Sequence, residues 1–283
     1  MSVSLKHLVR FMCHSGERLA CMDSNPLFSK YIGIDYSGAE TPTKSLKGLR
    51  VYMAGQGVDP VEVLPPPSPR RYWTRREIAE WLGNELMGSS RILVGIDHGF
   101  SFPLAYFEKH QIGCDWDAFL DDFQCHWPTD ENICVDFVRD GLRGAGALRT
   151  GSARWRRLAE IRARGAKSVF QFDVQGSVAK STHAGLPWLR YIRLLTGSRV
   201  HFWPFDGWEI PAPVSVVAEV YPALWNRTFP IQGRNPHQQD AYSIAAWMRN
   251  ADQMGWLPSF FCPKLGIEEQ RQAKIEGWIL GVA

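Results

Sequence analysis

Long apolar runs are missing from the 283 residues. Although 45% of them are hydrophobic, no stretch is long enough to span a bilayer, so no membrane partner is expected. Paired cysteines are missing too. Cys13, Cys21, Cys114, Cys125, Cys134 and Cys262 are scattered, none in a C-x-x-C pair. Reduced thiols in a cytoplasmic protein are the simplest expectation. Cys114, Cys125, His126 and Cys134 share one stretch, but their spacing fits no common zinc pattern. Charge of one sign is not in excess. Lys and Arg number 32 against 29 Asp and Glu, a net charge of +3, which does not by itself call for a nucleic-acid partner. Tandem repeats, low-complexity tracts and clear linkers are absent, apart from one short duplicated strand motif. One domain is therefore predicted over residues 29–283, after an N-terminal extension over 1–28. The leader Met1 to Leu27 holds Lys6, Arg10 and Arg18 without a continuous apolar core, so no secretory signal is expected. It reads as a loose extension, or as a start placed too early with Met22 the later candidate. A basic, mildly amphipathic leader is the alternative.

What is present is organised around Tyr31-Ile32-Gly33-Ile34-Asp35-Tyr36-Ser37-Gly38. Apolar residues run into an acid and then into small residues, as in a buried strand that ends in a carboxylate. A near copy follows at Val94-Gly95-Ile96-Asp97-His98-Gly99. If the two strands are neighbours, Asp35 and Asp97 stand side by side. Two adjacent carboxylates repel, so such a pair usually holds a cation or a shared proton.

The rest of the chain supplies the frame. Leu49 to Ala54 and Val61 to Leu64 read as a hairpin, closed by the proline cluster from Pro65 to Pro69. Thr74 with Glu77 three residues on is a capping box, and Ile78, Trp81, Leu82 and Leu86 share one helical face. Arg91 to Asp97 is the fourth strand. Trp116 to Cys125 reads as a helix, and Pro128 to Thr150 as irregular. Ala153 to Arg164 reads as an arginine-rich helix. Ser177 to Leu195 has helical spacing that Gly185-Leu186-Pro187 is expected to break. Val214 to Val220 is a strong strand and Arg199 to Phe202 a weaker one. Pro236 to Met248 and Ile267 to Ile279 read as helices.

Four acids fall at strand ends or a helix start: Asp35, Asp97, Glu219 and Asp240. His237 lies one turn from Asp240 on the same face. Converging at one sheet edge, such acids suit hard divalent cations such as Mg2+ or Mn2+. Taken singly each has an ordinary reading: a turn former, an ion-pair partner, or a first-turn helix acid. Their order implies a mixed sheet, with an antiparallel meander whose first strand is flanked by the fourth.

Several pieces together resemble the uncharacterised family of predicted RNase H-like nucleases, domain of unknown function 429. They are Gly33 to Asp35, Gly95 to Pro103, Glu219-Val220-Tyr221-Pro222, Asp240-Ala241-Tyr242 with Ala245 and Ala246, and Glu276-Gly277-Trp278-Ile279. The resemblance spans nearly the whole chain after the leader. It implies an α/β, RNase H-like, five-stranded mixed sheet with helices on both faces, and an insertion at about 113–167 after the fourth strand. It further implies a metal-dependent nuclease acting on DNA or RNA. In that reading Asp35 bridges two metals, Asp97 and Asp240 each hold one, Glu219 binds a metal or orients water, and His237 shuttles protons. A nucleotide-binding phosphotransferase of the actin and sugar-kinase type is the alternative, along with an inactive scaffold. The kinase reading needs glycine-rich phosphate turns after both acids, for which Gly38 and Gly99 are the only support.

Other residues carry two readings each. The arginines from Arg149 to Arg164, with Lys167, either contact phosphates or form a solvated face. Trp188, Trp203, Trp208 and Trp225 either stack bases or fill the core. Lys180 and His183 are placed along the cleft. Glu276 is expected to cap or pair structurally rather than to bind metal.

Overall fold

The computed structural model describes residues 26–65 and 71–283. Most of the leader and of the proline cluster, with Cys13, Cys21 and Met22, lies outside the described residues.

Among the described residues, six strands form one mixed sheet: β1 (Lys30–Asp35), β2 (Arg50–Gly55), β3 (Val61–Glu62), β4 (Ile92–Asp97), β5 (Val200–Trp203) and β6 (Ser215–Glu219). The spatial order is β3-β2-β1-β4-β6-β5. β1, β2 and β3 make the expected antiparallel meander, and β4 returns parallel to β1. The count of five strands is corrected to six. The extra strand is β5, which lies at the edge parallel to β6. Its Phe202 packs into the core on one face of the sheet and Trp203 into the core on the other. Both faces are thus covered, which a four-residue apolar strand requires.

The α-helices among the described residues are α1 (Arg75–Leu86), α2 (Leu104–His110), α3 (Trp116–His126), α4 (Val135–Arg139), α5 (Leu158–Arg162), α6 (Ala179–Thr196), α7 (Pro236–Gln253), α8 (Leu257–Phe261) and α9 (Ile267–Glu276). Alternation along the strands sorts them into two layers. Ile32, Ile34, Val94, Ile96 and Val217 face a core shared with α1, α3 and α6. Tyr31, Leu93, Val216 and Ala218 face one shared with α7 and α8. The Thr74–Glu77 capping box forms as its spacing implies. The stretch taken as an insertion supplies core residues of its own, among them Trp116, Phe119, Phe123 and Trp127.

Two expectations change here. α6 runs unbroken through Pro187. A proline inside a helix removes the bond to the carbonyl four residues back, here that of His183. The Thr129 hydroxyl donates to that carbonyl at 2.6 Å in the buried core. A partner distant in sequence thus replaces the missing donor. Thr129→Val is expected to leave the carbonyl unpaired and to lower unfolding stability by about 1–3 kcal/mol. Denaturant unfolding measures this, and a loss below about 0.5 kcal/mol would show that the bond matters little. The second change is the arginine-rich helix, which is only the five residues of α5. Arg157 immediately before it is 1% exposed, so it belongs to the interior rather than to a solvated face.

Candidate functional site

The site begins with two glycines. Gly33 and Gly95 are register partners on β1 and β4, and so are Asp35 and Asp97 two residues later. A Cβ on Gly33 would lie 2.3 Å from the Ala241 carbonyl oxygen, and one on Gly95 2.7 Å from Ile244. Only glycine lets α7 approach so closely. That approach places the first turns of α7, with His237 and Asp240, at the strand ends that carry Asp35 and Asp97. Because residues two apart share a face, both aspartates lie on the α7 side of the sheet. Their strands are adjacent, a separation of about 4.8 Å.

The electrostatics follow from this crowding. Asp35 is 6% exposed, and its Oδ2 is 2.8 Å from His237 Nδ1. Burial pushes its carboxyl up to about 6, against the pull of the His237 hydrogen bond. Asp97 is raised well above the ordinary carboxylate range, first by burial and then by Asp35, Asp240 and Glu219. Its carboxylate accepts no hydrogen bond from any described residue. Asp240 is raised by burial, while Asn226, which donates to its Oδ1 at 2.7 Å, works against the shift. His237 is raised chiefly by its bond to Asp35, and its ring is about half exposed at the rim. The structure therefore brings together Asp35, Asp97, Asp240 and His237.

Glu219 is placed differently. Its register partner is Ile96, one residue short of Asp97. Arg157 grips both of its carboxylate oxygens, Nη1 to Oε2 at 2.7 Å and Nη2 to Oε1 at 2.6 Å. The Phe100 N–H also donates to Oε2 at 2.9 Å. Arg157 Nε donates to Glu160 at 2.9 Å. Burial opposes the Arg157 charge, but Glu219 and Glu160 outweigh it and raise its proton affinity. Glu219 is thus held by Arg157 and Phe100, and it lines the same small cavity as Asp97.

The other candidates sort in the same way. Glu276 accepts from the Leu104 and Leu158 N–H groups at 2.6 and 2.7 Å, so it caps α2 and α5. His183 is fully buried among Phe102, Trp127 and Phe172, not along a cleft, and burial lowers it to about 3. Lys180 pairs with Asp136 at 2.7 Å. Of the arginines, Arg149 pairs with Asp122, Arg162 with Glu269, and Arg156 donates to backbone carbonyls. Trp203 and Trp225 are core residues. Cys114, Cys125, Cys134 and Cys262 are free thiols. Sequence reading missed Asn226, which opens a single 3-10 turn (Asn226–Thr228) with no signal. It also missed the part played by Arg157, although Glu160 three residues on marks a helical ion pair.

Among the described residues, no three His, Cys, Asp or Glu side chains are grouped as they stand so as to hold a metal ion. His237 and Asn226 engage one oxygen each of Asp35 and Asp240. The donor chemistry nevertheless fits a hard cation: three desolvated carboxylates on one face, with Asp97 lacking any donor among the described residues. A scan against protein-family models, a search of curated proteins and a search of solved structures each return no match to this chain. Among the described residues, no helix is long and apolar enough to cross a membrane.

Proposed function

We propose that the protein is a metal-dependent phosphodiesterase acting on nucleic acid, built on an RNase H-like sheet. The observation that carries this reading is the register Asp35–Asp97 at the carboxyl ends of adjacent central strands, with Asp240 brought over them by α7. The order β3-β2-β1-β4-β6 supports the architecture, with β5 as an addition at the edge. Asp35, Asp97 and Asp240 would hold Mg2+ or Mn2+. Such ions, when bound, activate water and stabilise the leaving oxygen. Within the chain, His237 holds a proton against Asp35 and can pass it to solvent from the rim. Arg157 and Glu219 fix the turn at Phe100 and so the backbone that carries Asp97. The free thiols suit a reducing, cytoplasmic setting.

The kinase alternative finds less support. A Cβ on Gly38 would lie 2.0 Å from the Lys180 carbonyl oxygen, so Gly38 serves close packing against α6. The Gly99 N–H is engaged by the Thr182 hydroxyl at 2.9 Å. Neither glycine offers an open phosphate turn.

Melting curves of wild type and Asp240→Asn, with metal, with ATP and with both, test the reading. Wild type is expected to gain stability from Mg2+ or Mn2+ alone, because ligand-linked stability follows affinity. Asp240→Asn should gain less, and its hydrolysis of single- and double-stranded DNA and RNA should fall steeply. A wild type indifferent to metal but stabilised by magnesium and ATP together would favour the phosphotransferase.

A further inference from the structure

Resting on that reading, we infer that Lys44 and Lys47 on one side of the acid cluster and Arg227 on the other form a track for the phosphates of a nucleic-acid strand. The arginine-rich stretch cannot supply the track as a whole. Arg149, Arg156, Arg157 and Arg162 are held by Asp122, by backbone carbonyls, by Glu219 with Glu160, and by Glu269. Phosphate contacts need cations that are exposed and uncommitted, near the reacting centre.

The loops at the carboxyl edge of the sheet provide them. Ligands of open α/β sheets bind at that edge. The β1–β2 loop follows Asp35 directly. A Cβ on its Gly48 would lie 3.5 Å from His237 Cε1, so the neighbouring Lys47 flanks the His237–Asp35 pair. Lys44 lies one turn back in the same loop, and both lysines are exposed with no ion pair to any described residue. Glu40 is the only acid in this loop. On the far side, the β6–α7 loop over 220–235 contains no Asp or Glu. Asn226 in that loop holds Asp240 at 2.7 Å, and the next residue, Arg227, is exposed and makes no ion pair with any described residue. Arg234, the loop's other cation, is committed to Gln239 and to the Tyr242 ring. Uncommitted positive charge thus brackets Asp35, Asp97 and Asp240. A polyanion laid from Lys47 to Arg227 passes over the carboxylates, and the cations offset the repulsion between them and the phosphates.

Fluorescence anisotropy of labelled single-stranded DNA, single-stranded RNA and duplex DNA, titrated in EDTA over a range of salt, tests the track. EDTA prevents turnover, and the several probes show which strand the track prefers. Lys44→Ala/Lys47→Ala and Arg227→Ala are each expected to flatten the slope of log affinity against log salt, by about 0.7–0.9 per lost phosphate contact. Arg154→Ala/Arg164→Ala, which removes exposed cations of the arginine-rich stretch, should leave the slope unchanged. An unchanged slope in the first two variants overturns the track. So does a slope that falls only in the third. If either result accompanies metal-linked stabilisation of wild type, the acid site stands without this track. Absence of binding by wild type to every probe overturns both.

Discussion

Arg157→Met is expected to lower unfolding stability by about 3–5 kcal/mol, the range seen when one partner of a buried ion pair is removed. The guanidinium and both carboxylates it serves are nearly inaccessible to water. Without it, Glu219 and Glu160 remain desolvated with no counter-ion. Glu160, which burial already raises with the guanidinium in place, would then take up a proton still more readily in the folded than in the unfolded state. Stability carried by such raised acids is present at low pH and lost as pH rises through their folded values. The deficit should therefore be smaller at pH 5 than at pH 8. Arg157→Met/Glu219→Gln/Glu160→Gln removes both stranded charges and should recover part of the loss. Urea unfolding of the three proteins at the two pH values measures this. A single-variant deficit below about 1 kcal/mol, or one independent of pH, would show that the network is not the anchor described.

The acid cluster should make the metal-free protein less stable as pH rises. Asp35 titrates near 6 instead of the ordinary 3.8, a difference worth on the order of 3 kcal/mol. Its folded value is raised, so its contribution is complete below about 4 and is lost as pH rises through 6. Asp97 and Asp240 are raised as well and act with the same sign. His237, also raised, loses the stabilising charge of its bond to Asp35 in the same direction. Stability in EDTA should thus fall between pH 4 and pH 8. Added Mg2+ should flatten the profile, because the cation replaces the protons. Asp97→Asn removes the carboxylate that accepts no hydrogen bond from any described residue. In EDTA it should be more stable than wild type at pH 8, with a shallower fall, and its response to Mg2+ should be largely lost. Chemical denaturation across that range in EDTA and in Mg2+ measures both effects. A flat wild-type profile in EDTA would mean that the carboxylates do not repel as their packing implies.

The parts of this architecture visible in the sequence are those written in local periodicity. The two strands ending at Asp35 and Asp97, the Thr74 capping box and the helix that starts at Pro236 depend on residues within one turn or one strand of each other. The duplicated Gly-Ile-Asp ending also carried more than local information. Its glycines admit α7, and its acids fall level once the strands pair. What local pattern could not carry is register between strands distant in sequence. Glu219 ends a strand as Asp97 does, yet a single-residue offset against β4 pairs it with Ile96 and gives it Arg157 as its partner. Nor could it carry the partners that satisfy buried polar groups from afar. Thr129 rescues the carbonyl freed by Pro187, and Asn226 reaches Asp240 from a short 3-10 turn. Arginines that read as one basic stretch are separated by burial into interior anchors and surface charges. Hydrogen-bond satisfaction and desolvation act between groups far apart in the chain, so only the assembled fold decides which charge is free to meet a ligand.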